Sequence, residues 1–281
     1  MLEKIETVAA LRERLRRPRA TEILGLVPTM GALHAGHAEL IKIARRECGV
    51  VVVSIFVNPL QFDNPDDLAR YPRTLDTDVA LCRELEVDAV FAPSPTEVYP
   101  EALECTVDIG RLGDHLCGPF RPEHFRGVAT VVLKFFQMVQ PHRAYFGEKD
   151  AQQLAIIRRL VADFNVPLAI VEVPTVREPD GLAMSSRNRH LSAAQRALAA
   201  CLYEAIREGA RAIEAGEQCP AAVKEAAVRK IPASDMLRLE YLEIVDPRSM
   251  QPVEDISAPV RVAGALWVGS TRLIDNVLAR P

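Results

Sequence analysis

No run of apolar residues in this 281-residue sequence is long enough to cross a bilayer. The longest, VVVVSIFV over residues 50–57, falls far short of the ~20 residues that a spanning helix needs. The first twenty residues, MLEKIETVAALRERLRRPRA, carry charges where a secretion signal carries an apolar stretch, and they read as an amphipathic basic helix on the surface. Positive charge is not in excess either. Against 38 Asp and Glu stand 34 Lys and Arg, a net charge of −4, so there is no global field for nucleic acid, although a local basic pocket is allowed. Six cysteines are scattered without a CxxC pair, which argues for reduced packing thiols against a disulfide framework or a zinc site. Solenoid-like repeats and low-complexity segments are absent. The expectation is a cytoplasmic protein with no membrane and no nucleic-acid partner, whose 49% hydrophobic content can fill a substantial core.

The hydrophobic pattern is one of strands alternating with helices. A strand at about 23–28 is followed by a glycine-rich loop, a helix at about 36–47 and the β-branched run from residue 50. Unbroken β-branched runs suit parallel strands buried on both faces. Further strands are expected near 88–92, 143–146 and 168–176, with helices before them and one immediately after the strand at 143–146. This alternation predicts an α/β fold, a Rossmann-like doubly wound parallel sheet. After about residue 176 the texture changes. A Pro-Asp-Gly turn at 179–181 leads to two Ala-rich helical stretches, and the tail alternates with period two, as a small antiparallel sheet does. We place a boundary near 176–185, giving domains 1–176 and 177–281.

In open α/β sheets ligands bind beyond the carboxyl ends of the strands. Four polar segments follow predicted strands: PTMGALHAGH at 28–37, NPLQF at 58–62, GEKDAQQ at 147–153 and, less directly, REPDGLAMSSR at 177–187. In the first, glycines allow a tight turn, and the helix N-terminus behind them suits phosphate, to which His34 and His37 can donate. The bland alternative is one histidine capping a turn and the other merely exposed. A metal reading lacks further ligands at suitable spacing. Asn58 and Gln61 offer amide donors and acceptors for a small polar substrate, against plain Asn-Pro turn chemistry. Glu148 and Asp150 are ordinary acids at a helix start, but Lys149 opposes the helix dipole and is easier to explain with phosphate nearby. One of Gln152 and Gln153 is expected to face the crevice. Ser185, Ser186 and Arg187 can wrap a triphosphate, although loops are often serine-rich.

Together the segments carry a resemblance. PTMGALHAGH resembles the HxGH signature of the nucleotidylyltransferase superfamily, shared with class I aminoacyl-tRNA synthetases, and MSSR resembles their KMSKS loop with Arg187 in place of a lysine or the lysine absent. With SIFVNPLQF, YPRT, HFRGV, FGEKDAQQL, DGLAMSSRNRHLS and RLIDN, the chain is similar over nearly its whole length to the pantoate–β-alanine ligase family. The resemblance implies formation of pantoyl adenylate and pyrophosphate from ATP and pantoate, then displacement of AMP by β-alanine. It further implies Mg²⁺, a homodimer through the N-terminal domain, and a C-terminal α+β lid domain.

By motif, the loop from Met30 through Gly31, Ala32, Leu33, His34, Ala35 and Gly36 to His37 would line ATP. Gly147, Glu148, Lys149 and Asp150 would meet its phosphates and ribose, with Val176, Met184, Ser185, Ser186 and Arg187 closing on the nucleotide. Gln61 and Gln153, joined by Asn58, Tyr71 and Arg121, would bind pantoate and β-alanine. His37, His34, Lys149 and Arg187 are the candidate catalytic residues. The family's metal-contacting acids follow YPRT, but LDTD stands there, so neither Asp76 nor Asp78 is assigned as a ligand. Two other readings stay open: a nucleotidylyltransferase acting on another small acceptor, and a catalytically silent nucleotide-binding protein.

Overall fold

The structure, a computed structural model, describes residues 2–281. They form two compact units. The first comprises the chain up to Ile109 with Arg121–Glu148 and Ile156–Pro174. Its elements in chain order are β1 (Glu3–Ile5), α1 (Val8–Leu15), α2 (Pro18–Thr21), β2 (Leu24–Thr29), α3 (Ala35–Glu47), β3 (Val50–Ile55), α4 (Pro65–Arg70), α5 (Leu75–Glu84), β4 (Ala89–Phe91), α6 (Pro95–Val98), α7 (His124–Val139), β5 (Arg143–Gly147), α8 (Ala151–Asp163) and β6 (Ala169–Val173). The six strands pair in parallel in the order β1-β4-β3-β2-β5-β6. The chain thus winds one way from β2 through β3 to β4 and the other way through β5 to β6. The switch point lies between β2 and β5, the place where such sheets open a crevice beyond their carboxyl ends.

The sequence explains the centre of this sheet. Val50 to Val53 and Ser54 are all buried, as a strand covered on both faces requires. In α3 the apolar positions Leu40, Ile41 and Ala44 face Val51, Val53 and Val90, leaving the charged positions outward. The N-terminus differs from the expected single surface helix. Residues 3–5 form an edge strand beside β4, and α1 begins only after Thr7, whose side chain accepts from Ala10 N–H. Three residues with Ile5 alone buried carry no readable period, and pairing with β4, more than eighty residues away, decides their state. Nor is α1 merely superficial, since Leu11 and Leu15 are buried.

The second unit gathers Gly110–Phe120, Lys149–Ala155 and Thr175–Pro281. It holds α9 (Ala193–Ala199), α10 (Cys201–Glu214), α11 (Pro220–Val228) and an antiparallel sheet, β7 (Leu237–Val245), β8 (Val260–Val268) and β9 (Thr271–Ala279), in sequence order. The amphipathic α10 lays Leu202, Ile206 and Ile213 against Val262, Leu266 and Ile244. The line between the units runs through the chain inside α8. The expected period-two tail is therefore the C-terminal sheet, and the doubly wound parallel sheet is the core of the first unit. All six cysteines are free thiols.

Candidate active site

The loop between β2 and α3 takes a path that only particular residues allow. Gly31 (φ +80°) and Ala32 (φ +51°) are both left-handed. A Cβ at Gly31 would stand 3.0 Å from Asp78 Oδ2, so the glycine serves both the backbone conformation and the close approach. The loop is held from below. Thr29 Oγ1 accepts from Gly31 N–H (3.1 Å) and donates to Ser54 C=O (2.8 Å). The Asp78 carboxylate, 2% exposed, accepts from Ala32 N–H (2.9 Å) and Leu33 N–H (2.8 Å), and the Thr74 hydroxyl reaches both of its oxygens. Asp78 is the residue that reading the sequence left unassigned; its role rests on contacts 45 and 46 residues apart.

The two histidines cap α3. Gly36 N–H donates to His34 Nδ1 (3.1 Å), and His34 N–H donates to His37 Nδ1 (3.3 Å), a reciprocal capping arrangement. The rings lie 4.1 Å apart, tilted by 42°. A backbone N–H can only donate, so both Nδ1 atoms must accept. That fixes both imidazoles as neutral rings with the proton on Nε2. Capping thus explains two of the four ring nitrogens. The caps stand at the positive end of a 13-residue helix, a setting for anionic oxygens.

Beyond β3, Asn58 caps the single 3₁₀ turn Pro59–Gln61. Asn58 and Gln61 are 1% and 7% exposed. Asn58 Nδ2 donates to Gly127 C=O and to Gln61 Oε1, both at 3.1 Å. Its Oδ1 accepts from Tyr99 O–H (2.8 Å) and Leu60 N–H (3.3 Å). Gln61 Nε2 points to Met30 Sδ at 2.9 Å. Gly127, the glycine of HFRGV, lets α7 press against this turn, because a Cβ there would meet Leu60 C=O at 2.2 Å. Arg121 pairs with Asp63 (3.4 Å) and donates to Gln61 C=O (3.1 Å), while His124 Nδ1 lies 2.8 Å from the same carbonyl. Tyr71 ends α4 with its ring on Phe62.

Gly147 closes β5, the strand beside β2, and Glu148 follows it. In the first unit the topology therefore sets Met30, both histidines, the Asn58–Gln61 pair and the 147–148 step at one edge of the sheet, around its switch point. The remaining candidates belong to the second unit. The Lys149 ammonium lies 3.5 Å from Asp150, and Lys149 C=O accepts from Asn276 Nδ2 (2.9 Å). Of the paired glutamines, Gln152 is buried and pins the 112–117 loop through Leu112 C=O, His115 C=O and Cys117 N–H, while Gln153 is half-buried. Val176 and Met184 face each other across a short hairpin, with Met184 N–H donating to Val176 C=O. Ser185 caps the 3₁₀ turn Ser186–His190, its hydroxyl accepting from Arg187 N–H. Beneath the hairpin Arg177 forks onto Asp275 (2.6 and 3.0 Å) and stacks 4.0 Å over Tyr203. Among the described residues no group of three or more His, Cys, Asp or Glu is placed to hold a metal ion.

Comparison with known proteins decides the family. The family model described as pantoate-beta-alanine ligase matches residues 3–278. The chain belongs to this family. It is 46% identical to the pantothenate synthetase of Thermus thermophilus, whose crystal structure superposes with a TM-score of 0.94 over all of both chains. The pantoate-beta-alanine ligase of Francisella tularensis, solved with beta-gamma ATP and beta-alanine, is 34% identical with a TM-score of 0.83, covering 99% of this chain and 98% of that one. A bifunctional pantoate ligase/cytidylate kinase of Synechococcus sp. (strain JA-3-3Ab) is 50% identical over 285 residues; the match takes in all of this chain but 53% of that protein, so the chain spans about half of that relative's length. No helix among the described residues is long and apolar enough to cross a membrane.

Proposed function

We propose that this family member condenses (R)-pantoate with β-alanine, driven by ATP and by way of pantoyl adenylate. The observation that carries the reading is the histidine pair that caps the start of α3, at the switch point of a doubly wound sheet. The Francisella relative, complexed with beta-gamma ATP and beta-alanine, supports ATP and β-alanine as two of these substrates. In the first step a pantoate carboxylate oxygen attacks the α-phosphorus as the bond to pyrophosphate breaks. A carboxylate is already ionised, so this step needs alignment and charge cancellation before it needs a base. His34 and His37 donate to phosphate oxygens, and Lys149 and Arg187 spread the charge of the departing pyrophosphate. In the second step the β-alanine amine attacks the acyl carbon, AMP leaves, and the amine sheds a proton.

Met30 to His37, Gly147 to Asp150, Val176 and Met184 to Arg187 serve the nucleotide in this reading. Gln61 and Gln153 serve pantoate, Gln61 also β-alanine, with Tyr71 and Arg121 beside them. Divalent metal would enter with ATP as its phosphate-bound substrate complex, neutralising triphosphate charge; Asp78, committed to the loop backbone, is not assigned to it. The enzyme works as a cytoplasmic homodimer. The test is pantoate-dependent ATP–pyrophosphate exchange, followed by AMP release on adding β-alanine. Exchange with pantoate alone and steady AMP only with β-alanine is the expected result. Pyrophosphate without AMP would instead make the protein a nucleotidylyltransferase, and silence in both assays would leave it a nucleotide-binding protein.

A further inference from the structure

The Gln61 amide is oriented by groups whose donor and acceptor roles admit no exchange. Gly127 C=O can only accept, so the Asn58 atom 3.1 Å away is its NH₂. Leu60 N–H can only donate, so the atom it reaches is Asn58 Oδ1. With Asn58 settled, its second N–H meets Gln61 Oε1, and the Gln61 NH₂ is turned to the other side, toward Met30 Sδ. A thioether is a weak acceptor, easily outcompeted by a carboxylate. The shortest of the bonds that Asn58 makes, 2.8 Å, comes from Tyr99 O–H to its Oδ1, forty-one residues away. Tyr99 ends α6, its ring set 6.1 Å from Phe56 and its face under the Lys134 ammonium at 5.5 Å. Burial raises the phenol above its ordinary range, so it stays protonated and donates at neutral pH.

We infer that Tyr99 is a positioning residue: acting through Asn58, its hydroxyl holds the Gln61 amide with NH₂ outward, so that the site offers a donor to the pantoate carboxylate. The inference rests on the substrate reading given above. Without the hydroxyl, Gly127 C=O and the 3.3 Å contact from Leu60 still set the sense of Asn58, but the shortest bond that steadies it, and through it the Gln61 amide, is gone. Asn58 itself is spent on internal partners and serves the same end.

The experiment is pantoate binding by calorimetry in the presence of a non-hydrolysable ATP analogue, alongside KM values from pyrophosphate exchange. Tyr99→Phe keeps the ring and removes one oxygen. It is expected to weaken pantoate about three- to tenfold, the worth of one buried hydrogen bond, while the KM for ATP stays within about twofold. In a Gln61→Ala background the same change is expected to add nothing, because the residue it acts through is gone. Unchanged pantoate affinity in Tyr99→Phe overturns the inference. So does an equal loss for ATP and pantoate, or an undiminished loss in the Gln61→Ala background, since either marks a general structural effect. If Tyr99→Phe does not fold, Tyr99→Trp or Tyr99→Leu with wild-type pantoate affinity overturns it equally. A wild-type enzyme that shows no pantoate-dependent exchange fails the substrate reading itself, a result separate from all of these.

Discussion

Removing the Asp78 carboxylate is expected to damage the histidine loop. In Asp78→Ala two buried N–H groups, Ala32 and Leu33, lose their acceptors at 2.9 and 2.8 Å. Each buried donor left unmade costs about 1–3 kcal/mol, so the pair costs about 2–6, and partial relaxation of the loop brings the expectation to about 4 kcal/mol. At about 2–4 °C per kcal/mol for a chain of roughly this size, the midpoint of thermal unfolding falls by about 8–16 °C. Asp78→Asn keeps one acceptor but sets an NH₂ against the other N–H, and about half that loss is expected. The two left-handed residues Gly31 and Ala32 then lose the anchor that makes their conformation worthwhile, and the imidazoles shift with them. A misplacement of about 1 Å is enough to cost ~10²-fold in rate. The assay is a calorimetric scan paired with pyrophosphate exchange at a temperature where both variants are folded. If both unfold within about 2 °C of the wild type and exchange at its rate, the carboxylate does not hold the loop.

His37→Ala and Lys149→Ala are each expected to lower kcat by ~10²–10³, Lys149→Ala with little change in thermal stability and His37→Ala with the loss of about 0.5–2 kcal/mol that a missing cap costs, checked by steady-state AMP formation and a thermal scan; near-wild-type kcat in either removes it from the phosphate-contacting set. Arg177→Met leaves Asp275, 5% exposed, without its forked partner, and a loss of about 3–5 kcal/mol is expected by chemical denaturation, with most of it regained in the Arg177→Met, Asp275→Asn pair. Burial pushes the Cys82 thiol up to about 12 and Cys201 up to about 11, so at pH 8 their thiolate fractions are on the order of 10⁻⁴ and 10⁻³. Thiol titration of the native protein is therefore expected to show fast reaction at the exposed Cys105 and Cys219 and to reach the buried thiols only on unfolding. Gly127→Ala drives a methyl group into Leu60 C=O, and a raised KM for pantoate is expected as the Gln61 turn is pushed away.

The parts of the fold that were legible were those with a strong local period. The valine run, the apolar stripe of α3 and the alternating tail each announce their element, and the boundaries at 24–29, 35–47 and 143–147 lie within a residue or so of those read from the pattern. The edge strand at Glu3–Ile5 was not legible, because its state depends on β4 and not on its own composition. The same division runs through the site. Histidines between glycines before a helix are conspicuous, and so is a lysine at a helix start. Asp78, Tyr99 and the spent amide of Asn58 are not, since each acquires its role from a partner brought near only by the folded chain. Sequence shows which residues can do chemistry; the residues that aim them emerge from tertiary contacts.

The second unit is assembled from three separate stretches of chain, and synthesis therefore leaves part of it waiting. When residue 176 has been made, Leu116, Ala151 and Ala155 are already in place on the nascent chain, but Val245, Met250 and Ala263, which complete their apolar cluster, do not yet exist. The same is true of Asn276, the residue that grips the Lys149 carbonyl. A ribosome-bound intermediate thus carries exposed apolar surface on a helix whose other end belongs to the first unit. Cutting the gene between residues 176 and 177 would fix that unfinished state permanently and leave the other fragment, 177–281, short of two of the stretches it packs against.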